Sequence, residues 1–122
     1  ANEVSFEAGG RTLKFSKGFS KYLYSTFEEL CCRPLGAADY IAIAEKYDIV
    51  LISGIPRMTK SHRNEAKRFM QLIDALYQHK VMVIISADAY PEELYIEGDG
   101  SFEFARTISR LEEMRSAEYW KH

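Results

Sequence analysis

Cations crowd the approach to the longest amphipathic stretch of this sequence. Arg57, Lys60, His62, Arg63, Lys67 and Arg68 follow one another with only Glu65 opposing them. A helix N-terminus already carries about half a positive charge, so each added cation there costs roughly a few tenths of a kcal/mol. A phosphate or an acidic protein surface would relieve that cost. The plainer reading is a solvated basic face. Arg63 and Lys67 lie one turn apart, whereas Arg57 and Arg68 need not share their face. Arg57, Lys60, Arg63, Lys67 and Arg68 are therefore candidates for contact with an anion or a partner.

A second pair of cations, Arg106 and Arg110, is spaced i,i+4 and projects from neighbouring places on one helical face. Each offers a planar fork of donors suited to phosphate or carboxylate. The plainer alternative is weak local pairing at i,i+3, Arg106 with Glu103 and Arg110 with Glu113. Ser53 and Ser86, with Arg57 and Asp88 beside them, end two apolar runs, where a polar residue either meets a ligand or closes a strand. Asp39 suits the start of a helix, and Asp74 is expected to cap or to pair with a nearby arginine.

Other chemistries find no support. His62, His79 and His122 share no metal-ligand spacing, and no metal site is expected. Cys31 and Cys32 are adjacent, a spacing that resists an unstrained bridge, so they read as reduced thiols that fill space. There is no Gly-x-Ser-x-Gly elbow and no Gly-x-x-x-x-Gly-Lys-Ser/Thr phosphate loop. Neither apolar run ends in an acidic pair able to hold magnesium. The isolated chain is not expected to bind a cofactor or to hydrolyse a nucleotide.

The elements that position these residues centre on Asp48 to Ala87. The runs Asp48–Ser53 and Val81–Ser86 are rich in β-branched residues and flank an amphipathic helix, the signature of a βαβ unit. Neither run alternates with polar residues, so both strands are expected to be covered on both faces within a parallel sheet. Ala66, Phe69, Met70, Ile73, Leu76 and Tyr77 form the crossover stripe that lies on that sheet. Ligands on such sheets gather beyond the carboxyl ends of the strands, here Ser53–Arg57 and Ser86–Asp88.

Upstream, Val4–Phe6 and Thr12–Phe15 alternate around Gly9-Gly10 and predict an antiparallel hairpin, with a further alternating run at Lys21–Ser25. Thr26 is a cap for a short helix over Phe27–Cys32. Arg33–Gly36 breaks the chain before a helix over Ala37–Tyr47, with Tyr40, Ile41 and Ala44 inward. Downstream, Pro91 opens a short helix to Tyr95, Gly98-Asp99-Gly100 turns, and Ser101 caps a last helix to about Glu118. Phe104, Ile108, Leu111 and Met114 are its stripe.

At 122 residues, 47% of them hydrophobic, the chain suits one ordered α/β domain over 1–122. The fold class is α/β, a βαβ unit with parallel central strands plus an N-terminal antiparallel hairpin and flanking helices. A net charge of −2 argues against general nucleic-acid binding. No apolar run approaches the roughly 20 residues of a membrane span. Ala1-Asn2-Glu3 opens without Met and reads as an arbitrary cut, so an excised fragment is expected.

Five stretches in order carry a resemblance: Phe27–Cys31, Pro34–Tyr40, Glu65–Phe69, Leu72–Tyr77 and Phe104–Met114. Together they resemble the carboxyl-terminal part of the AFG-one-like (ZapE-type) ATPases, from Arg11 to Trp120. The resemblance implies an AAA-type P-loop ATPase, with ATP and Mg held mostly by a segment upstream of this chain. It implies a role in bacterial cell division or in mitochondrial protein quality control, a cytoplasmic or mitochondrial location, and a division protein or client as partner. It also allows a homo-oligomer for the full-length form. AAA proteins use arginines to sense the γ-phosphate, which makes Arg106 and Arg110 the nucleotide-sensing candidates. A different expectation stands beside it: a non-catalytic interaction module whose basic run Arg57–Arg68 recruits an acidic partner. A small enzyme at the strand ends is the third, and it lacks an acid–base pair.

Overall fold

Alternating side chains shape the amino-terminal part into strands. In the computed structural model, which describes residues 2–8, 10–95 and 101–114, β1 (Asn2–Ala8) pairs antiparallel with β2 (Arg11–Phe19). Gly10 holds φ +81° at their turn, a left-handed conformation that glycine adopts without a Cβ clash. β3 (Tyr22–Thr26) runs antiparallel to β2. Between Phe15 and Gly18, β2 carries an extra residue against β1. That bulge reverses the faces: Leu13 and Phe15 are buried, while Lys17 lies opposite Tyr24 on the other side. The Ser16 amide donates to Glu29 instead, at 2.9 Å.

The βαβ unit forms as its pattern predicts. β4 (Ile49–Ile55) lies between β3 and β5 (Met82–Ala87), parallel to both, in a five-stranded sheet ordered β1-β2-β3-β4-β5. A short 3-10 turn (Lys60–His62) leads into the crossover helix α3 (Arg63–Gln78). Ahead of the unit, α1 (Phe27–Cys31) is capped by Thr26, whose hydroxyl accepts the Glu29 amide at 3.1 Å. At α2 (Ala37–Lys46), the Asp39 carboxylate reaches back to accept the Gly36 amide at 2.8 Å. A 3-10 turn over Pro91–Glu93 stands where a short helix was expected, and α4 (Ser101–Glu113) follows.

Two expectations need correction. Ile41 is 42% exposed and Ile43 takes its place in the core. The α2 stripe is Tyr40, Ile43, Ala44 and Tyr47, spaced i, i+3, i+4, i+7, and Ile41 sits about 100° around the helix from Tyr40. Among the described residues, the parallel strands are also covered by helices on one face alone. Leu23, Val50 and Ile52 join the core under the helices, whereas Tyr24 and Ile84 on the opposite face are exposed. α3 packs against α1, α2 and α4 in one layer, and β5 is an edge strand. An apolar run without alternation does not say which of its faces the helices will take.

Aromatic contacts tie the helices of this layer to one another. Phe69 of α3 lies between Phe27 (6.2 Å between ring centres) and Phe104 (5.9 Å), and Tyr95 meets Phe104 edge-on. Phe104, Leu111 and Met114 are buried along α4, with Thr107 between them and Ile108 half-buried. The Gly98–Gly100 turn, the Ser101 side chain and the last helix beyond Met114 lie outside the described residues, as does Gly9. No described helix is long and apolar enough to cross a membrane.

Candidate functional site

The carboxyl ends of the parallel strands are shaped by a second bulge. β4 carries an extra residue at Ser53–Gly54 against Ser86 of β5, and Gly54 holds φ +70°. The bulge turns Ile55 back into the core and leaves Ser53 exposed, its hydroxyl 3.4 Å from the Ser25 carbonyl. Ser53 and Ser86 do come together. They line a shallow cavity of about 310 Å³ on the open face of the sheet with Thr26, Tyr24 and Lys17.

A larger cavity, about 720 Å³, lies at the β5 edge. Val83, Ile85 and Ala87 of β5 with Leu111 and Met114 of α4 form its apolar floor. Among the described residues, Asp88, Glu92, Glu93 and Glu112 stand at its rim against one cation, Arg57. Arg57 faces Glu93 at 3.9 Å, both more than half exposed, a weak pair. Four carboxylates against one guanidinium make this rim unsuited to an anion. The segment after β4 is fixed to it from outside: the Met58 amide donates to the Leu94 carbonyl at 2.6 Å, and buried Met58 bridges Tyr95.

The basic run does not stay together. Arg57 turns to the acidic rim, and Arg68 turns inward, donating to the Cys31 carbonyl at 3.2 Å at the end of α1. A guanidinium there satisfies a carbonyl left open by the helix terminus and suits its negative end. His62 is engaged locally, its Nδ1 accepting the Thr59 amide at 2.8 Å. Lys60, Arg63 and Lys67 remain exposed along the start of α3.

Arg106 and Arg110 converge on one carboxylate. Both donate to Asp74 of α3, Arg106 at 3.3 Å and Arg110 more closely. The expected local partners Glu103 and Glu113 are not used; Glu113 instead accepts the Tyr77 hydroxyl at 2.6 Å. That bond raises the Tyr77 pKa, because the phenol proton is held between two oxygens. Asp74 won because α4 lies across α3, which brings an acidic side chain between the two arginines. The two differ in surroundings. Arg110 is 22% exposed and also covers the Tyr77 ring, while Arg106 is 66% exposed and, among the described residues, has its longer bond to Asp74 as its polar contact.

One polar pair escaped the sequence reading. Arg11 of β2 pairs with the buried Asp39 and reaches the Pro34 carbonyl at 3.3 Å. The signal was present: Arg11, Leu13 and Phe15 alternate, which sends Arg11 to the helical side. Burial raises the pKa of the Cys31 thiol, and Cys32 is raised as well, by desolvation first and then by Glu65 and Glu28. Neither thiol is thereby activated. Among the described residues, no group of three or more His, Cys, Asp or Glu is placed to hold a metal ion.

Comparison with known proteins bears on all of these residues. The family model described as AFG1-like ATPase matches residues 1–122. The chain is 36% identical to the cell division protein ZapE of Escherichia coli K12 over 98% of its own length and 32% of that protein. It is 32% identical to the zebrafish lactation elevated protein 1 homolog B, over 91% of the chain and 28% of the relative. The chain thus spans about a third of the length of these curated relatives. No solved structure matches it.

Proposed function

The chain belongs to the AFG1-like ATPase family, and from that premise we propose that it is the carboxyl-terminal α/β part of a longer ATPase. The family implies ATP and Mg in the full-length protein. The residues described here do not fit that pair: the strand ends carry Ser53-Gly54 and Ser86-Ala87 without a phosphate loop or acidic pair, and the larger cavity is acid-rimmed. The reading therefore assigns phosphate and metal binding to an upstream segment, and to this chain a supporting surface. It serves cell division in a bacterial cytoplasm, as the name of its bacterial relative suggests, or protein quality control in a mitochondrion. Its partner is a division protein or a client, and the assembled form is a homo-oligomer.

The observation that carries the division of labour is the unequal setting of the two arginines. Arg110, half sequestered on Asp74 and Tyr77, acts as a positioning residue that fixes α4 on α3. Arg106, held weakly at the surface, has donors to spare for a phosphate or a neighbouring subunit. A fixed guanidinium stabilises charge spread over a transferring phosphoryl group. In the full-length enzyme, Arg106→Ala is expected to lower ATP turnover without lowering thermal stability, and Arg110→Ala to lower both. Equal turnover in Arg106→Ala and wild type would falsify the role. The parent gene is expected to encode a Gly-x-x-x-x-Gly-Lys-Ser/Thr segment upstream of Ala1; its absence would sink the whole reading.

A second reading rests on the exposed cations of the 3-10 turn and the start of α3. Lys60, Arg63 and Lys67 form the part of the basic run that faces solvent, and an acidic protein tail suits it. Reversing Arg63 and Lys67 to Glu is expected to weaken such a complex, chiefly through slower association. Unchanged affinity would remove this surface from consideration.

A further inference from the structure

Parallel strands are ordinarily covered on both faces, and their residues then read as unbroken apolar runs. Ile49–Ile52 and Met82–Ile85 are such runs, yet among the described residues the helices pack on one face alone. Strand register gathers the other face into two rows. Phe19, Tyr22, Ile49 and Met82 stand side by side in the first. Tyr24, Leu51 and Ile84 stand in the second, with Lys17 at its end. Phe19 is 62% exposed, Ile84 49%, Tyr22 41% and Tyr24 38%.

Scattered apolar residues on a surface are ordinary, but rows of them in register across four strands mark a place where something packs. The composition suits the centre of an interface, aromatic and poor in charge. Thr26, Ser53 and Ser86 bound the rows at the carboxyl ends of the strands and supply a polar margin. The relatives show how much chain is available to cover it: they match nearly all of this chain over only 28–32% of their own length. We infer that this open sheet face packs against the remainder of the longer polypeptide, the portion those relatives carry outside the matched stretch. The interface is intramolecular, centred on Tyr22, Tyr24 and Ile84. A tethered partner is present at high effective concentration, which lets such a face persist without a dedicated helix. The inference rests on the proposed reading of a longer polypeptide but not on the arginine assignment, so footprinting can fail while the Arg106 test succeeds, and the reverse.

Hydroxyl-radical footprinting of the full polypeptide encoded by the parent gene, read by mass spectrometry, tests this without a mutation. Buried Tyr40 and Tyr47 supply the protected rate within the same molecule, and the urea-unfolded protein supplies the open rate. Phe19, Tyr22 and Tyr24 are expected to be oxidised about tenfold more slowly than when unfolded, as a dry interface centre requires. That protection should not change with protein concentration. Oxidation in proportion to the exposures above overturns the inference, as does a gene that encodes nothing beyond this chain. Protection that appears only as the protein dimerises overturns it too, in favour of a second copy on this face. A variant sharpens the test: Ile84→Lys in the full polypeptide is expected to restore oxidation at Tyr24, and unchanged slow oxidation there contradicts the interface.

Discussion

The two faces of the same parallel strands have opposite fates. On one, Leu23, Val50 and Ile52 are fully buried beneath α1, α3 and their neighbours. On the other, Tyr24 of β3 and Ile84 of β5, where Val83 and Ile85 are half-buried, project outward. Both faces are written in the same kind of residue, so hydrophobicity alone does not separate them. The difference comes from which face this stretch of chain supplies with helices. The covered face carries the stability of the described residues.

Substitutions should split along that line. The largest effect is expected at the centre of the covered face. Phe69→Ala removes a ring held between Phe27, which it meets at a tilt, and Phe104, on which it stacks, and should cost about 3–5 kcal/mol, read as the urea midpoint. A loss under about 1 kcal/mol would mean the layer is not packed as described. Next comes the clasp between α3 and α4. Arg110→Ala leaves part-buried Asp74 without its nearer partner and uncovers Tyr77, for about 1–2 kcal/mol after allowance for solvent.

Alkaline titration probes the same covered face through Tyr40. Its hydroxyl donates to the Leu30 carbonyl at 2.7 Å, and burial, reinforced by Cys31, raises its pKa above the ordinary 10. Above pH 10 the unfolded chain has released a proton that the folded chain still holds. Stability must therefore fall as pH rises through that range. Tyr40→Phe should reduce the alkaline loss, part of which Cys31 also contributes, while costing about 1 kcal/mol at neutral pH for the missing hydrogen bond. An alkaline slope that Tyr40→Phe leaves intact would assign the effect elsewhere.

The smallest effects belong to the bare face and the exposed arginine. In the isolated chain, Ile84→Ser should change stability by no more than about 0.5 kcal/mol, as for other surface sites. Arg106→Ala should do the same, because its contact with Asp74 is largely solvated. A loss at Ile84 as large as that at Phe69 would erase the contrast between the faces.

What the sequence made legible was local. The Thr26 cap, the hairpin pairing, the βαβ strands and most of the α3 stripe follow from local pattern, although buried Leu72 and Ala75 fall outside the expected stripe and Met70 and Tyr77 are only half-buried. The misses depend on distance. Asp74 does pair with arginine as expected, but which arginines could not be counted, since they lie 32 and 36 positions away; Arg11 likewise lies 28 from Asp39. Spacing offered Glu103 and Glu113 instead, since only neighbours in sequence can be paired by counting. The turn of Arg68 toward Cys31 and of Arg57 toward Glu93 likewise needed the helices in place. Ser53 and Ser86 were brought together because both sit at strand ends, a position the βαβ pattern already implied. The bare face was misread for a physical reason: an unbroken apolar run specifies that both sides be covered without saying by which chain segment.

The most direct measurement is a calorimetric titration of ATP, with and without magnesium, into the purified 122 residues. Absence of binding heat is the expected result, because the phosphate-holding segment is assigned upstream of this chain. Saturable binding that disappears in Arg106→Ala would contradict it and place a phosphate site on this chain itself.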